Sequence, residues 1–174
     1  ALDAVGVGHG DEVIVPSLTV AMCGYSIWQC GAIPVYCDIN EKTFLIDPRD
    51  IQKKITKKTK AIMVVHLYGL MCDMKNIMKI ANKYKIPVIE DCAQCFLGTD
   101  NKKRISGTIG AVGSWSFETT KHITTGEGGM ILTNNYELNK KFKDYRNLCF
   151  GSKFNRFNHY DIGWNYRYTN IQAS

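Results

Sequence analysis

Apolar positions along the chain fall into two kinds of block, and the two kinds alternate. Val13-Ile14-Val15, the run from Ala61 to Val65 and Val88-Ile89 are short, nearly continuous and rich in branched side chains. That is the pattern of strands covered on both faces in a parallel sheet. Met74, Ile77, Met78, Ala81 and Tyr84 instead recur every three or four positions, along one face of a helix. The spacing predicts a helix end over 1–7 stopped by Gly6, Gly8 and Gly10, then a strand over 12–15 closed by Pro16. A mostly buried helix over 20–30 and a strand over 33–37 follow. After Asp47-Pro48 comes a basic helix over 49–55, with Pro48 suited to the first turn. The strand over 61–65 carries His66, Leu67, Tyr68 and Gly69 at its carboxyl end, and Asp73 caps the helix to residue 84. The strand over 87–89 runs straight into Glu90, Asp91 and Cys92. A further strand over 130–133 precedes an amphipathic helix over 136–148 that turns Leu138, Phe142 and Tyr145 inward. The tail 150–168 is rich in aromatic, Asn and Arg residues and has no clear period. Strands alternating with helices predict a three-layer α/β fold with a mostly parallel central sheet, in one domain with no internal boundary.

Composition agrees with a folded domain. At 174 residues and 45% hydrophobic, the chain is long enough for one real core. A net charge of +6 is mildly basic and suits a general attraction for anionic substrates. The densest run, Lys53, Lys54, Lys57, Lys58 and Lys60, reads as the wet face of a surface helix. No aromatic interleaving turns it into a nucleic-acid site. The seven cysteines are an odd set without a regular framework, several inside apolar segments, as expected in a reducing, cytoplasmic compartment. Cys92 and Cys95 form a Cys-x-x-Cys, but no second pair and no His spacing completes a metal site. With no leader and no apolar run long enough to cross a bilayer, the chain reads as soluble and not membrane-bound. It opens on alanine in mid-helix, so it reads as truncated.

The candidate chemistry centres on Lys121. It follows the short apolar segment of Trp115 and Phe117, stands among threonines, and precedes Gly126, Gly128 and Gly129. A chain presents side chains to ligands where sheet gives way to loop. An amine there attacks a carbonyl once burial or a neighbouring cation favours its neutral form, so the chemistry indicated is a Schiff base. Asp91, at the end of another strand thirty positions earlier, supplies a carboxylate on the sheet edge where α/β folds bind ligands. Amine and acid together are what a pyridoxal phosphate enzyme needs: one holds the aldehyde and the other keeps the pyridine nitrogen protonated. The glycines of GVGHGD (residues 6–11) precede a strand, where a dinucleotide loop must follow one.

GDEVIVPSLT (10–19), VVHLYG (64–69), VIEDCAQ (88–94), GSWSFETTKHITTGEGGM (113–130) and IGWNYRYTNIQAS (162–174) resemble, in that order, segments of the DegT/DnrJ/EryC1/StrS aminotransferases. These are fold-type-I pyridoxal phosphate enzymes that aminate keto-sugars on nucleotide carriers. TTGEGGM and NYRYTNIQA are most similar to the perosamine synthase-like branch, which acts at C4 of a GDP-linked 4-keto-6-deoxymannose. The resemblance implies that Lys121 holds pyridoxal 5'-phosphate and shuttles the proton, that Asp91 pairs with the pyridinium nitrogen, and that Gln94, one helical turn on, reaches the 3-oxygen. It further implies that Ser116 bonds the phosphate, that Asn165 is lent to the phosphate of a neighbouring subunit in a homodimer, and that glutamate is the amino donor. The chain would be the central part of the large domain, lacking the C-terminal small domain.

Read on their own residues, several of these positions stay open. Asp91 reads as a helix cap, Gln94 as a surface side chain, Ser116 as a strand residue bonding backbone, and Asn165 as a turn former. His66 and Tyr68 either line the site or serve as buried, hydrogen-bonded structural residues; the structural reading is preferred for each, and both stay out of the catalytic set. Arg167 either meets the cofactor region or braces the dimer. Val20 departs from the family, which has a stacking aromatic there; its loss is worth on the order of 1 kcal/mol and implies weaker cofactor retention. Two other readings follow. The 3-dehydratase branch carries histidine in place of the Schiff-base lysine, and here that histidine is one step away at His122. A non-catalytic fragment or paralogue is the other, supported by truncation and Val20.

Overall fold

The computed structural model describes residues 1–150 and 158–174; part of the aperiodic tail, 151–157, lies outside the described residues. Six strands form one sheet: β1 (Glu12–Pro16), β2 (Ile33–Cys37), β3 (Thr59–Val65), β4 (Val88–Asp91), β5 (Val112–Ser116) and β6 (Gly129–Leu132). Their order is β2-β1-β3-β4-β5-β6, and all pairings are parallel except the antiparallel β5–β6 hairpin. The central strands are buried on both faces: Val13, Ile14, Val15, Ala61, Ile62 and Val64 are fully inaccessible. This is the α/β architecture with a mostly parallel sheet that the alternating blocks predict.

Helices α1 (Met22–Gln29), α2 (Pro48–Lys54) and α3 (Met74–Tyr84) make the crossovers. The chain steps outward from β1 to β2 and then back past β1 to β3. Right-handed crossovers put connections that step in opposite directions on opposite faces, so α1 covers one side of the sheet. Helices α2 and α3 pack together on the other. Capping follows the sequence: the Asp47 carboxylate accepts from the Arg49 N–H, and that of Asp73 from the Asn76 N–H. Two further helices, α4 (Tyr136–Arg146) and α5 (Asn170–Ala173), complete the described chain.

Three expectations are corrected. Helix α1 is not mostly buried: Cys23, Gly24 and Ile27 face the sheet, while Met22, Tyr25 and Trp28 are exposed on its outer side. The lysine run is not one helical face, because α2 ends at Lys54, Lys57 and Lys58 sit in a turn, and Lys60 belongs to β3. Helix α4 buries no residue fully, although Leu138 and Phe142 pack against the core as expected.

Candidate functional site

The carboxyl ends of β3 and β4 are level and β5 runs two residues further: Asp91 pairs in register with Val65 on one side and Ser114 on the other, and β5 ends at Ser116. Successive side chains of a strand point to opposite faces, so Glu90 and Asp91 part company. The half-buried Asp91 carboxylate is held from two directions. Its Oδ1 accepts the Ala93 N–H at 2.9 Å, and its Oδ2 receives the Cys23 thiol of α1 at 3.4 Å. Burial pushes the Cys23 thiol up to about 12, so it stays protonated and keeps donating. Asp91 therefore caps a turn rather than a helix, and Gln94 stands in that turn and not one helical turn along.

Gln94 is oriented by its neighbour across the edge. The Tyr68 N–H donates to Gln94 Oε1 at 3.0 Å, so the carboxamide nitrogen is left to donate elsewhere. A cavity of about 450 Å³ opens beside it, lined by Tyr68, Ala93, Gln94, Thr120, Lys121 and His122. Small-molecule pockets are typically roughly 300–1,000 Å³. A second cavity, of about 560 Å³, lies along α4 and is lined by none of the candidate residues.

Lys121 reaches this cavity from the loop joining β5 to β6. The loop is folded on itself: the Phe117 N–H donates to Gly128 O at 2.8 Å, and the Lys121 N–H to Glu118 O at 3.0 Å. Glu118 accepts from the Thr119 and Thr120 hydroxyls and from the Thr120 N–H, which hold its carboxyl down to about 2 and keep it a fixed anion. Among the described residues no salt bridge engages Lys121, which is half-buried. Its neighbour His122 is exposed.

The remaining candidates are placed unequally. Ser116 ends β5, and its Oγ accepts the Glu118 N–H at 3.3 Å, leaving its own proton to donate. Asn165 lies apart from the cavity; its backbone pairs with Asn147 and it is exposed. Arg167 donates from Nη1 to Asn147 Oδ1 at 2.8 Å, bracing that same pairing. Val20, just before α1, is 52% exposed. Tyr68 corrects the preferred expectation: it is not buried but 76% exposed, and it lines the cavity, as the other reading had it.

Of two groups of supporting residues, the first was not legible as such, and in the second only His66 was read as buried and hydrogen-bonded. Tyr168 bonds the Thr125 hydroxyl and meets Phe117 edge-on at 6.5 Å, while Gln172 Nε2 donates to Glu127 O at 3.2 Å. The segment leading into α5 thus clamps the lysine loop, a long-range contact that leaves no periodicity. Behind the site, the fully buried Glu90 and His66 pair at 3.0 Å. His66 Nδ1 accepts the Cys72 N–H at 3.1 Å, so Nε2 carries the proton given to Glu90. Cys92 lies within 4.8 Å of the ligand atoms of both residues. Yet the imidazole nitrogens and both Glu90 oxygens are already engaged, and burial raises the Cys92 thiol. That trio is bonded to the protein, not poised for a metal. The Cys92 and Cys95 thiols are buried and unpaired.

The cavity brings Lys121 and Gln94 together; Asp91 and Ser116 are not among its lining residues but end the paired strands β4 and β5. Amine, carboxamide, carboxylate and hydroxyl are group types suited to a ring that bears a carbonyl, a basic nitrogen and a phosphate. Comparison with known proteins agrees. The sequence profile of the DegT/DnrJ/EryC1/StrS aminotransferase family matches residues 1–174. Over 175 aligned residues, spanning 100% of this chain and 46% of the relative, there is 46% identity to GDP-perosamine synthase of Caulobacter vibrioides. An aminotransferase from Psychrobacter cryohalolentis superimposes with a TM-score of 0.92 at 41% identity, over 99% of this chain and 46% of that one. NtdA from Bacillus subtilis, solved with bound cofactor PMP, does so with a TM-score of 0.86 at 38% identity, over 99% and 39%. The chain spans about half the length of the curated relatives it matches.

Proposed function

The chain belongs to the DegT/DnrJ/EryC1/StrS aminotransferase family, and from that premise we propose that it carries the cofactor site of a pyridoxal 5'-phosphate-dependent transaminase. The amino group moves from glutamate to a keto-sugar on a nucleotide carrier, a 4-keto-6-deoxyhexose as in perosamine synthesis. The observation that carries this reading is a half-buried lysine without an ion-pair partner among the described residues, facing a cavity that it shares with Gln94.

Bound pyridoxal phosphate supplies an aldehyde for carbonyl exchange and a ring that takes up the electron pair left when a carbon gives up its proton. The chain's residues do the rest. Lys121 would hold that aldehyde, and its amine would be the group that takes and returns the proton of the substrate carbon. Asp91, fixed by the Ala93 N–H and the Cys23 thiol, would hold a proton at the ring nitrogen by its charge. The free Gln94 amide would donate to the ring's 3-oxygen, and the Ser116 hydroxyl to the phosphate. Asn165, exposed and away from its own chain's cavity, is assigned to the phosphate of a second copy, which makes the working unit a homodimer. The unpaired cysteines support placement in the reducing cytoplasm.

The 3-dehydratase reading would put a histidine where the lysine acts. His122 also lines the cavity, but on its exposed side, whereas Lys121 is half-buried, which favours transamination. Borohydride reduction with cofactor present, followed by peptide mapping, tests the assignment: the label is expected on Lys121. Lys121→Ala should lose both label and visible absorbance, and activity should fall by at least about 10²–10⁴-fold. A label elsewhere, or none, refutes it.

A further inference from the structure

Tyr68 is held in a conformation that aromatic residues avoid. Its φ of 55° and ψ of 29° lie in the left-handed region, where a non-glycine side chain is strained. Burial does not offset the strain, because the residue is 76% exposed. Both flanks enforce it instead. On one side His66 is buried and pinned by Glu90 and the Cys72 N–H; on the other, Gly69, itself at φ 81°, receives the Cys95 thiol on its carbonyl at 3.3 Å. The Tyr68 N–H is tied to Gln94. The backbone is thus fixed by four neighbours to present a ring that packs against little of the protein.

The cavity has two levels. Ala93, Gln94 and Lys121 are half-buried and form a floor; Tyr68, Thr120 and His122 are exposed and form a rim. A group anchored on Lys121 takes the floor, and a ligand arriving later from solvent meets the rim. We propose that Tyr68 is a specificity-determining contact for the acceptor sugar, its ring lying against the apolar face of the pyranose while Thr120 and His122 hydrogen-bond the sugar's hydroxyls. An amino-acid donor offers no such face, so the rim separates the two substrates. The inference rests on the transaminase reading above.

Tyr68→Gly tests it, because glycine adopts the left-handed backbone freely while the ring is lost. In the cofactor-loaded enzyme, the KM for GDP-4-keto-6-deoxymannose should rise about tenfold while that for glutamate stays within about twofold. The melting temperature should stay level or rise. Tyr68→Phe keeps the ring and should hold the sugar KM within about threefold. Calorimetric titration with the same sugar nucleotide should show the same tenfold weakening in Tyr68→Gly without reference to turnover. An unchanged sugar KM and affinity, an equal rise in both KM values, or a melting temperature several degrees lower would overturn the assignment. Absence of any glutamate-dependent change in cofactor absorbance in the unmutated enzyme would instead count against the transaminase reading, and the titration would still judge Tyr68.

Discussion

Glu90 and Asp91 are adjacent acids in one strand with opposite surroundings. Asp91 is half-buried at the ligand edge, whereas Glu90 is inaccessible and accepts from His66 Nε2 and from the N–H groups of Gly107, Ile109 and Gly110. Burial is the largest influence on Glu90 and acts to raise its pKa. The bonds from His66, Gly110 and Gly107 together outweigh it, so the carboxyl titrates below its ordinary value. A depressed folded-state pKa means that the stabilisation is present above the unfolded value of about 4.3 and is lost as pH falls through the folded one. Glu90→Gln puts an amide nitrogen where only donors point, and should lower stability at pH 7 by about 2–4 kcal/mol in chemical denaturation. Between roughly pH 5 and 3 the variant should lose less further stability than the parent; parallel curves would show that Glu90 is not the titrating group. The strand's alternation was readable, so the two acids had to diverge, but which one met the core was decided by His66 and residues 107–110, distant in sequence. His66 fulfils its expected buried role. Tyr68 does not: both residues lie beyond the end of β3, where alternation no longer dictates facing, and Tyr68 takes a left-handed backbone (φ 55°) that the period could not foretell.

At the scale of elements, continuous apolar runs gave the buried strands, and local carboxylates marked the starts of α2 and α3. What was not readable is where a periodic face finds no partner. Helix α1 looks buried by composition, yet half its apolar residues point outward because the sheet offers it only one side. The lysine run looked helical because Ile51 and Ile55 keep the period, but the chain turns toward β3 after Lys54. The connection from β4 to β5 depends on close backbone approach more than on pattern. Gly107 has φ 77°, and a Cβ there would overlap the Trp115 ring and stand 3.0 Å from Cys92 Sγ. Gly107→Ala combines backbone strain with overpacking and should destabilise by about 2–3 kcal/mol. Thermal unfolding should show a melting temperature lower by roughly 5–10 °C. Since the same loop donates to Glu90, the change should not add to Glu90→Gln; full additivity in the double variant would mean that the two act separately.

Taken as a whole, the molecule has a firmly packed middle and a site assembled at its margin. The central strands β1, β3 and β4 are buried along most of their length, while β6 is exposed along all four residues and β2 exposes Ile33 and Tyr36. The candidate site draws on the last residues of β3, β4 and β5 and on a loop that is otherwise held by hydrogen bonds from the Tyr168–Gln172 segment. The strand ends are tied together by sheet pairing, whereas the loop is not part of the sheet, so an occupant bonded to Asp91, Gln94, Ser116 and Lys121 at once would fasten the loop to the sheet edge. Ligand binding to the native state alone stabilises by about 2.7 kcal/mol at a hundred times Kd, equivalent to roughly 5–10 °C in a domain of this size. Pyridoxal phosphate should raise the melting temperature of the chain by that amount, and should slow proteolysis within residues 117–128. Lys121→Ala should forfeit most of the shift, whereas substitution of Lys57, in a turn outside the site, should leave it intact. Equal shifts in all three proteins would mean that the cofactor binds away from the cavity; no shift in the parent would mean that the described residues do not by themselves retain it.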